Sequence, residues 1–282
     1  VYVVAVRLLS PAKVNLRLEV LGKRADGYHE VDTVLQSIDL CDEITISLSD
    51  NNLRLHAPAH LPSGEGNLCY QAAQAFFARL GRVPRATLWL TKRIPVQAGL
   101  GGGSSNAAAV LLGLNQLHRH PLSTKELGFL AAGLGSDVPF FLTGGTARAR
   151  GRGEQIEALP DAGQWWLRIV KPYRGLSTAE VYAAWRPHTG PRDIVGGDAY
   201  FNDLEPAARE LLPPLVDIYD MLSSDGAERV LLCGSGSAVC GFYPSPPTGT
   251  LSLGDGYCEF IARTLTRLEY SRVTAVKECE VI

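Results

Sequence analysis

The sequence has no excess of charge of either sign: 27 Lys and Arg stand against 29 Asp and Glu, a formal net charge of −2. Such a chain has no global attraction to nucleic acid or to an anionic membrane, so any phosphorylated ligand must be held by local groups. It also has no C-x-x-C pair. The six cysteines, Cys41, Cys69, Cys233, Cys240, Cys258 and Cys279, are scattered, and four lie among apolar neighbours. That argues for reduced, mostly buried thiols in a cytosolic protein and against a zinc site. No apolar run is long enough to span a membrane. Residues 1–9 are broken by Arg7 and stopped by Pro11, no cleavage-site pattern follows, and a first strand is the better reading. The chain does not open on Met, which leaves a plastid setting open if a transit peptide preceded Val1. Internal repeats and low-complexity tracts are missing as well. What is present is an ordinary globular composition, 46% apolar and 20% charged over 282 residues, enough for one large or two modest domains.

The most informative stretch is Pro95-Val96-Gln97-Ala98-Gly99-Leu100-Gly101-Gly102-Gly103-Ser104-Ser105-Asn106. An alternating segment, 86–94, leads into it, and Ala107 to Leu112, small and apolar with strong helix propensity, follows. A strand therefore feeds a glycine-dense loop that feeds a helix. The glycines let backbone approach a ligand closely, and Gly102 is expected to face phosphate from a left-handed backbone. Ser104, Ser105 and Asn106 are candidates for the helix N-cap region. Unpaired amides at a helix start attract anions. No Lys-Ser/Thr pair follows the last glycine, so this is not a Walker A loop. Ser104 stands where a dinucleotide fingerprint needs its third glycine.

Along the chain, 2–9 and 14–20 read as strands, 21–30 as a turn, and 31–40 and 43–48 as strands. A short strand with a loop is expected over 51–60, and an amphipathic helix over 67–80. Ser123 to Glu126 resembles a capping box opening a helix to about Leu134, and Phe140 to Ala149 reads as strand. Strand 166–171, helix 179–185 and helical segments over 205–222, divided by Pro213 and Pro214, come next. Then follow strand 230–232, its return over 238–243, a Pro/Gly-rich loop over 244–256, helix 257–268 and strand 271–276.

Three separated stretches carry a family resemblance: Pro11-Ala12-Lys13-Val14-Asn15, the glycine loop, and Leu232-Cys233-Gly234-Ser235-Gly236-Ser237. Together they resemble the galactokinase, homoserine kinase, mevalonate kinase and phosphomevalonate kinase (GHMP) superfamily. Arg24-Ala25-Asp26-Gly27-Tyr28-His29-Glu30, Gly135-Ser136-Asp137-Val138-Pro139-Phe140-Phe141 and Asn202-Asp203-Leu204-Glu205 narrow it. They resemble the family that phosphorylates the 2-hydroxyl of 4-diphosphocytidyl-2-C-methyl-D-erythritol on the methylerythritol phosphate route to isoprenoids.

The resemblance implies an α+β, two-domain GHMP kinase fold. Residues 1–160 would form an N-terminal, ATP-binding domain like ribosomal protein S5 domain 2. Residues 161–282 would form a C-terminal, substrate-side, ferredoxin-like α/β sandwich. It implies ATP and Mg2+, without naming metal ligands, and a small cytidine diphosphate substrate. Neither nucleic acid nor membrane is an expected partner, and a weak homodimer is left open.

By resemblance Asp137 is the base and Lys13 the cation beside it. On its residues alone, Asp137 reads rather as a turn or cap residue, and Lys13 equally as a snorkelling surface lysine. ATP would sit on Pro95, Gly99, Leu100, Gly101, Gly102, Gly103, Ser104, Ser105 and Asn106, with Asn67 and Lys92 near the nucleotide. Tyr28 would stack on cytosine, His29 and Asn15 would meet its edge, and Tyr182 would cover its other face. Gly234, Ser235 and Gly236 would close over the substrate phosphates. Without the family, Tyr28 is a partly buried surface residue, Tyr182 helix core packing, and 234–237 a tight hairpin bend. The rivals are diphosphomevalonate decarboxylase, homoserine kinase and a catalytically dead nucleotide-binding sensor. The Asp-Gly-Tyr-His turn disfavours the two enzymes, whose substrates offer no base to stack on, and Lys13 together with Asp137 argues against the sensor.

Overall fold

The computed structural model describes residues 3–188, 200–251 and 254–281. Its elements run β1 (Val3–Lys23), β2 (His29–Leu48), β3 (Arg54–His56), α1 (Leu68–Arg79), β4 (Ala86–Thr91), α2 (Gly102–Leu117), α3 (Thr124–Leu134), α4 (Phe140–Thr143), β5 (Thr146–Gly151) and β6 (Gln155–Ala158). The second half holds β7 (Trp166–Pro172), α5 (Thr178–Ala184), β8 (Phe201–Asn202), α6 (Glu205–Leu211), α7 (Leu215–Ser224), β9 (Arg229–Leu232), β10 (Val239–Tyr243), β11 (Tyr257–Arg263), α8 (Arg267–Val273) and β12 (Lys277–Val281).

The opening strand is longer than the sequence suggests. Pro11, which cannot donate to a ladder, was expected to divide it, but β1 passes through Pro11 as one element of 21 residues. The register against β2 shifts between Pro11 and Ala12, again between Asn15 and Arg17, and between Val20 and Gly22. Proline is tolerated at such a bulge, and each shift bends the strand. The turn before β2 shrinks to residues 24–28.

The first sheet has the order β12-β1-β2-β4-β3, with β5 joining β2 and β6, and β8 joining β1. Helices α1 to α3 cover one face. Their core includes Phe76, Phe77, Val110, Leu111 and Leu114 against Leu8, Ile44, Ile46 and Leu88. The second sheet runs β11-β7-β10-β9, the ferredoxin-like strand order. Helices α5 to α7 pack on it through Val181, Ala208, Ile218 and Leu222. A third core lies between the halves, where Ala12, Val14, Leu16, Ile38 and Ile94 meet Leu167, Ile169, Phe242 and Ala262. Residue 160 falls between β6 and β7, which belong to different sheets, yet β8 and β12 return to pair with β1.

Three expectations fail locally. Phe140–Thr143 is a short helix rather than strand, because both Phe140 and Phe141 are buried and Gly144 closes the turn with its N–H on Phe140 O at 2.8 Å. Tyr257–Arg263 is a strand, not a helix: its seven residues pair with β7, and Phe260 and Ala262 alternate into the third core. The expected last strand over 271–276 overlaps helix α8, which Thr266 and Glu269 cap as a box, and the strand follows as β12. Among the described residues no helix is long and apolar enough to cross a membrane, and no helix lies between β10 and β11. Cys41, Cys69, Cys233 and Cys240 are buried free thiols.

Candidate active site

The cleft begins where β4 ends. Gly101 caps α2 from a left-handed backbone, φ 70° and ψ 14°, with no side-chain cap. The first amides of the helix therefore have no intrahelical acceptor, and the residues that carry them, Gly102, Gly103 and Ser104, line the cleft. Gly102 itself is not left-handed. The positive φ values in the loop fall on Gln97 (54°), Gly99 (74°) and Gly101, and Gly102 is constrained by contact: a Cβ there would lie 3.0 Å from both Ile94 Cγ2 and Lys92 Nζ. At Gly99 a Cβ would fall 1.7 Å from Cys233 O, which is why the second glycine loop can sit directly on the first. Ser237 N donates to Gln97 O at 3.2 Å and Ala238 N to Ala98 O at 3.3 Å. Asn202 braces that loop from behind, its Nδ2 donating to Leu232 O at 2.9 Å and Gly234 O at 2.6 Å.

Lys13 follows the Pro11 bulge, and its backbone N–H leaves the ladder to donate to Leu100 O at 3.0 Å. The residue is 3% exposed, a poor place for a cation without partners. The ammonium donates to Asn15 Oδ1 at 2.8 Å and lies 3.6 Å from Asp137 Oδ2. Asn15 is oriented in turn by donating to Thr33 Oγ1 at 2.8 Å. Asp137 sits between α3 and α4, where buried Val138, Phe140 and Phe141 hold the turn, each phenyl contributing about 1.5–3 kcal/mol of burial. Tyr270 adds a hydrogen bond of 2.6 Å to Phe141 O. The Asp137 side chain keeps 36% of its surface open to the cleft.

Aromatic side chains form the far wall. Tyr28 is 52% exposed, with the Arg152 guanidinium 5.0 Å from its ring centre. His29 lies 4.9 Å from Tyr182 and edge-on to Trp185 at 5.8 Å. Burial first, and then the Lys23 charge, push the His29 pKa down, so the neutral ring offers one donor and one acceptor. Burial and, behind it, the Asp137 charge push the Tyr182 hydroxyl up, so the aromatic wall and the carboxylate share one electrostatic environment.

One cleft of about 860 Å³ is lined by Lys13, Asn15, Tyr28, His29, Lys92, Pro95, Gly99 to Ser104, Asp137, Tyr182, Gly234 and Ser235. Four expected residues do not line it. Asn67 is the N-cap of α1, accepting from Cys69 N at 2.9 Å. Gly236 is buried, and a Cβ there would lie 3.2 Å from both Leu176 Cδ1 and Leu232 Cδ1. Ser105 and Asn106 are inside α2 rather than at its cap, both buried, and Asn106 points toward Ser10 and Asp42. The cleft also contains Lys23, Thr33, Gln97, Ser136, Arg152 and Thr178, which the sequence does not single out. Arg152 follows a glycine and precedes another, a hairpin signal that could have placed it on a loop, but nothing local points it at Tyr28.

Comparison with known proteins agrees with this geometry. The GHMP kinases N terminal domain matches residues 67–145 and the GHMP kinases C terminal domain residues 193–249. The chain is 42% identical to the 4-diphosphocytidyl-2-C-methyl-D-erythritol kinase of Moorella thermoacetica, over 81% of this chain and 87% of that one. It is 44% identical to that of Geobacter metallireducens, over 84% and 89%. A crystal structure of 4-(cytidine 5'-diphospho)-2C-methyl-D-erythritol kinase superposes with a TM-score of 0.74 at 38% identity, covering 85% of this chain and 91% of that one. A glycine loop at a helix start, a lysine–aspartate pair and an aromatic wall in one cleft thus accompany extensive sequence identity, and the chain belongs to the 4-diphosphocytidyl-2-C-methyl-D-erythritol kinase family of GHMP kinases.

Proposed function

We propose that this protein transfers the γ-phosphoryl group of ATP to the 2-hydroxyl of 4-diphosphocytidyl-2-C-methyl-D-erythritol. The observation that carries the reading is the Lys13–Asp137 pair, 3.6 Å apart, standing between the amides of α2 and the aromatic wall in a single cleft. Phosphoryl transfer asks for alignment and charge stabilisation more than for reactive groups. The acceptor hydroxyl gives its proton to an Asp137 carboxylate oxygen as its own oxygen bonds to the γ-phosphorus. The bond from that phosphorus to the β,γ-bridging oxygen breaks, and ADP leaves with the electron pair. Lys13 compensates the negative charge gathering there, and Asn15 fixes the ammonium by accepting a hydrogen bond from it. The amides at the start of α2 hold the polyphosphate.

Tyr28 and Tyr182 supply flat apolar surface for the cytosine, and neutral His29 supplies an edge contact. Mg2+ takes oxygen donors, keeps several waters and shares the phosphates, so it needs only one or two protein ligands. Ser104, in the first turn of α2 and lining the cleft, is the oxygen donor that fits this demand, which leaves Asp137 free to take the proton. The ion would neutralise phosphate charge.

The test is product analysis by ³¹P NMR after incubation with ATP, Mg2+ and the cytidyl alcohol. A new phosphomonoester on the erythritol, made by the wild type and not detectably by Asp137→Asn under the same conditions, is expected. ATP consumption without that product contradicts the reading.

A further inference from the structure

Behind the glycine loop, outside the residues that line the cleft, lies a carboxylate with no solvent exposure. Asp42, on β2, is fully buried, and four donors converge on it. Its Oδ1 accepts from Arg93 N at 2.7 Å and Ile94 N at 2.8 Å. Its Oδ2 accepts from Asn106 Nδ2 at 2.9 Å and from the Lys92 ammonium. Asn106 donates further to Ser10 Oγ at 2.7 Å, and its Oδ1 accepts from Lys92 Nζ at 3.3 Å.

The tied groups come from three supports of the loop. Arg93 and Ile94 immediately precede Pro95, where the chain leaves β4. Asn106 lies in the second turn of α2, and Ser10 lies on β1 three residues before Lys13. Lys92 is the member that reaches the cleft, and its Nζ passes 3.0 Å from where a Gly102 Cβ would stand. One side chain therefore fixes the distance between the two ends of the glycine loop. It also draws the Lys92 ammonium back against the first residue of α2. A buried carboxylate that loses matched donors leaves them unpaired in a low-dielectric site, so this arrangement tolerates little change.

We propose that Asp42 is a positioning residue for the nucleotide side of the site, acting through Lys92 and Asn106 on the span of the glycine loop. The inference rests on the reading of that loop as the ATP cradle, and it assigns to Asp42 a role on one substrate only. The aromatic wall and the Lys13–Asp137 pair take no contact from Asp42.

The experiment compares Asp42→Asn, Lys92→Met and the double variant, measuring KM for ATP, KM for the cytidyl alcohol, ADP binding by calorimetry and Tm. Asp42→Asn keeps the volume but turns one acceptor into a donor facing other donors. KM for ATP should rise roughly 10- to 100-fold, the weight of one or two hydrogen bonds to a charged group, with KM for the cytidyl alcohol unchanged. The double variant should be no worse than the more severe single, because both act through one contact. An unchanged KM for ATP in folded Asp42→Asn overturns the proposal, as does a parallel rise of both KM values with a fall in Tm. If Asp42→Asn does not fold, Asn106→Ser decides, since it cuts the tie to α2 and leaves the Asp42–Lys92 pair. A selective rise in KM for ATP supports the role and no rise removes it. A wild type that binds no ADP would overturn the ATP cradle and this role together. Normal wild-type turnover beside an indifferent Asp42→Asn overturns the role alone.

Discussion

At the scale of single residues, the site sets a buried cation against a half-open carboxylate. Lys13 has Asn15 and Asp137 as neighbours, so it is held rather than free to swing. Replacing Asp137 with Asn keeps the shape and removes the proton acceptor. kcat should fall by roughly 10²- to 10⁴-fold, while ADP binding by calorimetry stays near wild type, because the helix amides are untouched. Undiminished turnover would remove Asp137 from the mechanism. Tyr28 carries the second prediction. Its ring is exposed on one side and faces Arg152 at 5.0 Å, so truncation costs little core packing. Tyr28→Ala should raise KM for the cytidyl alcohol roughly 5- to 150-fold, the range of a base–aromatic contact of about 1–3 kcal/mol. KM for ATP and Tm should stay put, and Tyr28→Phe should be mild. Equal changes in both KM values would move Tyr28 out of the acceptor site.

At the scale of elements, Gly101 links the helix start to the lysine. A Cβ there would lie 2.8 Å from Phe141 Cζ and 3.0 Å from Lys13 Cγ, on a backbone at φ 70° that costs an L-residue about 1–2 kcal/mol. Gly101→Val should therefore abolish nucleotide binding and turnover together while circular dichroism stays native. Retained ADP affinity would show the loop to be a plain turn. Helix α8 gives a pH test. Thr266 N, above all, and Arg263 hold the Glu269 carboxyl down to about 2. A depressed acid adds stability that is complete above its ordinary value near 4.5 and is lost as pH falls toward 2. The Tm gap between wild type and Glu269→Gln should thus be largest at neutral pH and close between pH 4.5 and 2. A gap constant with pH contradicts this linkage.

The same elements mark what the sequence made legible. The Thr266-x-x-Glu269 box is readable in the chain, but reading 257–268 as helix hides it. Phe260 and Ala262 alternate as strand residues do, yet a stretch of only seven residues fits either period until β7 is seen beside it. Pro11 signals a break and instead marks a bulge, since only the β2 register reveals the shift. The glycine loop, Lys13, Tyr28 and Asp137 stand out because their unusual strings are local. Asp42 does not, because its four donors come from the segment just after β4 and from α2, about 50 to 64 residues away.

At the scale of the molecule, the cleft exists because the third core closes β1 and the glycine loop onto β7, β9 and β10. On the proposed function, the nucleotide end is built by the first sheet and its helices, and the acceptor end by the β1–β2 turn, the β5–β6 hairpin and α5. Binding both substrates across that seam would tie acceptor choice to the aromatic wall, on which a base-bearing acceptor can stack. The central claim is therefore one of selectivity, and the direct measurement is kcat/KM for phosphoryl transfer from ATP to four acceptors: the cytidyl alcohol, mevalonate, diphosphomevalonate and homoserine. The account predicts efficient transfer to 4-diphosphocytidyl-2-C-methyl-D-erythritol, and at least about 10²-fold less to each of the others, the weight of a lost stacking contact near 3 kcal/mol. Comparable or better transfer to homoserine or mevalonate would contradict it.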